Sequence, residues 1–275
     1  MKICIDAGHY GKYNQSPVNK KYWESEMSWK LHLYLKEELE QYGIEAITTR
    51  SAQASDLGLP ARGRCAKGCD LFLSLHSDAC NDPSVDRPTA CCSVSGKANT
   101  LGRKLADTVA RTMGTKQGGK IWNRVGSTGR DYYSVLFGAN AVGVAGILME
   151  HSFHTNLRAT NWLLDDDNLR KLAQAEAACI AEHYGIRKPQ QGDHTAAQTP
   201  AQAPAEQGTG YLVKVICSSL NVRAGAGVGY KVNTVVRRGE VYTIVETKQV
   251  GASTWGRLKS GAGWMNVGES YCRRI

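Results

Sequence analysis

Lys2-Ile3-Cys4-Ile5-Asp6-Ala7-Gly8-His9 reads as a short apolar strand that breaks at a glycine turn and ends on a histidine. Downstream, Met27, Leu31, Leu35 and Leu39 recur every fourth residue among Glu and Lys, which predicts an amphipathic helix over 24–42 stopped by Gly43. Ile44 to Thr49 reads as a second strand, and residues 59–68 as a short helix. The apolar runs Leu71 to Leu75 and Val142 to Met149 have the length of buried strands. Helices are expected over 98–112 and over the Ala-rich stretch Asn168 to Tyr184, closed by Gly185. Strands alternating with helices predict an α/β layer fold with a mostly parallel sheet.

Beyond residue 190 the chain changes character. Gln190 to Gly210 is rich in Ala, Gln, Thr and Pro and has no large apolar residue, the composition of a linker. Short alternating segments follow: Tyr211 to Ile216, Val232 to Val236, Val241 to Thr247, Trp255 to Lys259 and Gly263 to Val267. Glycine-rich turns separate them, as in a small all-β barrel. The expected organisation is a main domain over 1–186, an Ala/Gln/Pro-rich linker over 187–210 and a small β domain over 211–275.

The net charge of +9 is concentrated in the last segment. Residues 211–275 carry ten Lys or Arg against three Glu, and residues 1–210 carry 24 against 22. A basic tail implies an anionic partner, with nucleic acid and an anionic cell-wall polymer as the candidates. The aromatics Tyr211, Tyr230, Tyr242, Trp255 and Trp264 serve either as barrel core or as a ligand platform; core is the expectation for most. No run of about 18 apolar residues exists, so membrane insertion is not expected. The opening residues run straight into a strand without the pattern of a signal peptide, which implies a chain made in the cytoplasm or a trimmed mature form.

Four stretches carry chemistry: Asp6 to His9, Glu24 at the head of the helix, Ser74 to Asp78, and Leu148 to His151. They offer two histidines and one carboxylate, with a second carboxylate to spare. That set with an open position holds a catalytic zinc, and the spare carboxylate suits a general base. In α/β folds, sites form beyond the carboxyl ends of strands, and His9, His76 and Glu150 each stand at or just past the end of an apolar run. Glu26 competes with Glu24, and only one of them can face the site. His151 must face away from Glu150 if both lie in a strand. His154 is a candidate for substrate contact, and Ser77 and Asp78 are candidate hydrogen-bond partners of His76. His32, His183 and His194 read as surface residues.

Nine cysteines are an odd number. Cys4 and Cys179 read as small core residues, and the group Cys65, Cys69, Cys80, Cys91 and Cys92 fits no zinc-ribbon spacing, so free thiols are expected. No cysteine stands where a nucleophile would be activated. The HExxH signature, a phosphate loop and a dinucleotide fingerprint are all absent.

The motifs together resemble the zinc-dependent N-acetylmuramoyl-L-alanine amidases of the type-3 amidase family. The carriers are Ile5 to His9, Glu24 with Trp29-Lys30-Leu31, Thr49-Arg50 with Leu59 and Arg62, Phe72 to His76, and Met149 to Asn156, in the family's order over residues 1 to about 185. The resemblance implies a three-layer αβα domain, His9, Glu24 and His76 as ligands of Zn2+, and Glu150 as the catalytic carboxylate. It favours Glu24 over Glu26. Ser28 stands where the family has Asn, and the loop after His9 and the insert from Cys80 to Thr89 depart from the family pattern.

Residues 211–275 resemble bacterial Src-homology-3-type (SH3-like) domains, through Leu220 to Gly225, Arg238-Gly239-Glu240, Trp255 to Leu258 and Gly263-Trp264-Met265. Such modules bind cell wall in endolysins and autolysins. The implied activity is hydrolysis of the amide between N-acetylmuramic acid and L-alanine in peptidoglycan, with a Gram-positive wall and not nucleic acid as the expected partner, and a phage or prophage endolysin as the implied setting. A zinc peptidase cutting within the stem peptide and a non-catalytic wall-binding protein are the rival readings.

Overall fold

The computed structural model describes residues 1–188, 210–217, 219–228, 230–250 and 253–275. Most of the expected linker therefore lies outside the described residues. The chain divides into two compact units, Met1–Gln190 and Gln191–Ile275.

The first unit is built on a six-stranded sheet. β1 (Lys2–Ala7), β2 (Glu45–Thr48), β3 (Leu71–Asp78) and β6 (Gly146–Phe153) are parallel, in the order β2-β1-β3-β6. β4 (Thr89–Cys92) then pairs antiparallel with β6, and β5 (Lys120–Trp122) runs parallel to β4 along the edge. Continuous apolar strands need cover on both faces. On one face, α1 (Glu24–Glu40), α3 (Asn99–Met113) and α6 (Asp166–His183) pack the main core with Leu31, Leu35, Leu105, Val109, Leu172 and Ile180. On the other, α2 (Leu59–Arg64) and α4 (Ser134–Asn140) close a smaller core around Phe72, Leu136 and Leu148. α5 (Leu157–Leu163) connects β6 to α6. The result is a three-layer α/β domain.

The helix and strand periods set most of these elements. α1 stops three residues before Gly43, which takes φ +72. β3 is longer than its apolar run, because Ser74, His76 and Asp78 extend it on one face while Leu73 and Leu75 fill the other. β6 begins at Gly146 and not at Val142, since residues 141–143 turn out of α4. β4, β5, α4 and α5 are too short to show a period.

Among the described residues, the second unit holds seven strands in one sheet, ordered β13-β7-β10-β11-β12-β8-β9, paired antiparallel throughout. They are β7 (Tyr211–Val215), β8 (Ser219–Arg223), β9 (Val232–Arg237), β10 (Val241–Val250), β11 (Ser253–Leu258), β12 (Trp264–Asn266) and β13 (Cys272–Arg274). Val213, Val222, Ile244, Leu258 and Met265 form its core. Trp255 is buried there, while Tyr230 stands exposed. This is an all-β unit, as the alternating pattern predicts.

All nine cysteines are free thiols. The dense group of the sequence is dispersed: Cys69 and Cys91 join Cys4 in the smaller core, and Cys92 faces the larger one.

Candidate active site

β1 and β3 pair in register, so the turn after Ala7 arrives beside His76. Gly8 bonds Leu75 O through its N–H at 3.0 Å. A Cβ at Gly8 would lie 2.5 Å from His76 Cε1 and 2.6 Å from Leu75 O, so only glycine lets the two chains approach this closely. The carbonyl of Ala7 is held by two buried guanidinium groups, Arg50 at 2.7 Å and Arg62 at 3.2 Å. His9 then leaves the turn in the left-handed region, φ +58.

Glu24 is the first residue of α1, where the exposed N–H groups and the helix dipole favour a carboxylate. Trp23 provides no side-chain cap. The loop from His9 caps the helix instead: Asn14 O accepts the Glu24 N–H at 3.0 Å, and Ser25 Oγ donates to Gly11 O at 2.9 Å. Ser28 Oγ, buried, bonds both Gly8 O and Glu24 O, tying turn and helix together. Glu26 points to solvent near Lys12.

These elements bring three of the expected residues together. Glu24 Oε1 lies 2.8 Å from His76 Nδ1 and 3.1 Å from His9 Nε2, and one ligand atom from each of the three lies within 4.8 Å of the others. The Ser77 N–H also reaches Glu24 Oε1, and Asn14 Nδ2 donates to Glu24 Oε2 at 2.7 Å. Burial opposes ionisation of Glu24, but the hydrogen bonds and charges of His76 and His9 outweigh it and hold the carboxyl well below its usual range.

His76 is oriented from behind. Its Nε2 sits 3.1 Å from Ser74 Oγ, and Ser74 donates to Asp6 Oδ2 at 2.8 Å. Ser74 spends its one proton on Asp6, so it accepts from His76 Nε2–H and leaves Nδ1 turned toward Glu24. Thr49 donates to the other oxygen of Asp6. The partner of His76 is thus Ser74, two residues before it on the same strand face, and not the flanking Ser77 or Asp78. Ser77 serves His154, whose Nδ1 lies 2.9 Å from Ser77 O and 3.8 Å from Glu24 Oε2.

Glu150 lies inside β6, in register with His76 on β3. Both stand within their strands and not past the ends, because β3 and β6 outrun their apolar segments. Glu150 is 8 % exposed, and its Oε2 makes no hydrogen bond. Burial pushes its carboxyl well above the usual range, and the charges of Glu24 and Asp78 add to the shift.

His151 faces the opposite side, fully buried, with Nδ1 at 3.0 Å from His76 O and Nε2 at 3.0 Å from Glu176 on α6. The pairing slips by one residue after Glu150, and Ser152 takes φ +66 with its hydroxyl on the buried Asp86. His9, Asn14 and Ser152 are the described non-glycine residues with positive φ; His9 and Asn14 contact Glu24, and Ser152 follows Glu150 by two residues.

Two imidazole nitrogens and a carboxylate oxygen are a donor set suited to zinc. The fit is supported by the cluster itself: a buried carboxylate ringed by donors, with the unsatisfied Glu150 Oε2 alongside. Asn14 and Ser74 were not identifiable as partners from the sequence; only their places in a turn and at an alternate strand position hinted at them. His32 is also corrected: it is 1 % exposed, packed on Trp29 with Nδ1 toward Trp29 O.

A parallel sheet that presents such a donor set next to a buried acid has the arrangement that metal-assisted hydrolysis requires. The family model described as N-acetylmuramoyl-L-alanine amidase (Amidase_3) matches residues 3–182, and the chain belongs to that family. Among solved structures, the catalytic domain of CwlV, an N-acetylmuramoyl-L-alanine amidase from Bacillus (Paenibacillus) polymyxa, aligns with TM-score 0.58 and 19% identity over 68% of this chain and 99% of its own. AmiC2 of Nostoc punctiforme aligns with TM-score 0.57 and 22% identity over 67% and 97%. Cwp6 from Clostridium difficile aligns with TM-score 0.57 and 23% identity over 66% of this chain, which spans 29% of Cwp6. No curated protein sequence matches the chain.

Proposed function

We propose that this protein is a zinc-dependent N-acetylmuramoyl-L-alanine amidase that cuts the amide between the lactyl group of N-acetylmuramic acid and the L-alanine of the peptidoglycan stem peptide. The observation that carries this reading is the convergence of His9, His76 and Glu24, one ligand atom from each within 4.8 Å of the others, beside the buried Glu150. His9, Glu24 and His76 hold the metal. Bound there, zinc supplies a Lewis acid for the scissile carbonyl and makes water acidic enough to react near neutral pH.

The residues of the chain do the rest. Ser74 and Asp6 fix the His76 ring so that Nδ1 faces inward. Glu150 takes the proton of the attacking water and returns it to the leaving amine. Its unsatisfied oxygen is free for that proton. The basic β unit is read as an SH3-type module that holds the enzyme on an anionic Gram-positive wall and raises its local concentration there. A wall amidase joined to such a module suits an endolysin.

The test is lysis of purified Gram-positive walls with and without chelator, with zinc restored and product termini identified. Chelator-sensitive lysis that frees N-terminal alanine supports the reading. Cleavage that frees other amino groups makes the enzyme a peptidase, and activity in protein shown to be metal-free removes zinc.

A further inference from the structure

One row of residues crosses four strands. His76 on β3 is paired with Glu150 on β6, Glu150 with Thr89 on β4, and Thr89 with Lys120 on the edge strand β5. Partners in register point to the same face of a sheet. Ile121 confirms the facing, since it packs against the larger core on the opposite side. Lys120 therefore opens on the same face as Glu150, and two strand spacings put it about 10 Å away.

That edge carries a cationic and aromatic cluster. Lys120 Nζ lies 5.2 Å from the Trp122 ring centre, and Arg124 lies 5.1 Å from Trp122 and 3.4 Å from Tyr132. Trp122 and Tyr132 are exposed. Residues 116–130 contain four cations and no acidic residue. The hairpin that presents them is anchored. Asp131, 8 % exposed, accepts from Ser93 Oγ and the Val94 N–H, and Tyr132 N bonds Arg124 O. Arg124 also hydrogen-bonds the Tyr133 side chain, and the remaining N–H groups of the stacked guanidinium are left for a carboxylate.

We propose that Lys120 and Arg124, with Trp122 and Tyr132 as walls, form a subsite for a carboxylate of the substrate's peptide arm. This rests on the amidase reading. The lactyl carboxyl of the muramic acid is consumed in the scissile amide, so the carboxylates near that bond lie on the peptide. A separation of about 10 Å corresponds to about three residues of extended peptide, which places the bound carboxylate at the end of a short acidic stem.

The experiment uses the full chain loaded with zinc and two muramoyl tripeptides, one ending in a carboxylate and one in a carboxamide. The wild type is expected to favour the carboxylate about tenfold in kcat/KM, the size of a charge-assisted contact. In Lys120→Ala/Arg124→Ala the ratio falls toward one. In Arg124→Glu it inverts, a result that misfolding cannot produce. A ratio near one in the wild type, or an unchanged ratio in both variants, overturns the subsite.

If neither substrate is cut, the amidase reading fails on its own. Calorimetric binding of the free acidic tripeptide then decides the subsite: affinity lost in the double variant supports it, and equal affinity overturns it.

Discussion

Glu150 and His76 stand directly opposite each other on neighbouring parallel strands, on one face of the sheet. Strand register thus fixes the spacing between the proposed proton acceptor and a proposed metal ligand. Neither depends on a loop for its place. His9 and Asn14 reach the site from an irregular segment, and both contact Glu24 at the head of α1.

Glu150→Gln keeps the shape of the side chain and removes the base. Turnover should fall by about 10²- to 10⁴-fold, with zinc still bound. Metal analysis and wall lysis on the same preparation check this. A variant that lyses walls at the wild-type rate removes Glu150 from the mechanism.

Ser74→Ala deletes the link between Asp6 and His76. The ring loses the partner that fixes its tautomer, and zinc affinity should drop about 10- to 100-fold. Competition with a chromophoric chelator measures it. The far-ultraviolet circular dichroism should not change.

Gly8→Ala forces a methyl to within 2.5 Å of His76 Cε1 and 2.6 Å of a backbone oxygen. The turn or the ring must shift. The expected cost is about 1–3 kcal/mol of stability together with weaker zinc binding. Denaturant unfolding reads the first, and the chelator titration the second.

Burial lowers the pKa of His32 from 6.5 to about 4. A histidine that is harder to protonate when folded lets the unfolded chain bind more protons between those values. Its contribution to stability is therefore complete above pH 6.5 and is lost as pH falls toward 4. In His32→Leu that part of the acid sensitivity should vanish. Thermal midpoints of wild type and variant from pH 4 to 7 should diverge in slope, and parallel curves would contradict the assignment.

The elements with a strong period were readable in the sequence. β1, α1, β3, α3 and α6 combine long apolar stripes with glycine stops, and they carry or flank His9, Glu24 and His76. What escaped the sequence depends on facing and on distant partners. His32 lies four residues after Ser28 and three before Leu35, on the widened inner stripe of α1, so its polarity misled the reading of a surface position. The antiparallel entry of β4 reverses the sheet with four residues, too few to show a pattern. The partners Asn14 and Ser74 depend on a left-handed turn and on strand alternation, and neither leaves a signature in residue type.

His9, Asn14 and Ser152 hold backbone conformations that cost about 1–3 kcal/mol each where the side chain is not glycine. A screen for heat resistance would be drawn to these positions, because glycine there relieves the backbone. The same replacements would remove an imidazole, a carboxylate clamp and the hydroxyl that anchors the bulge after Glu150. At this site, durability and turnover are therefore expected to be traded residue for residue.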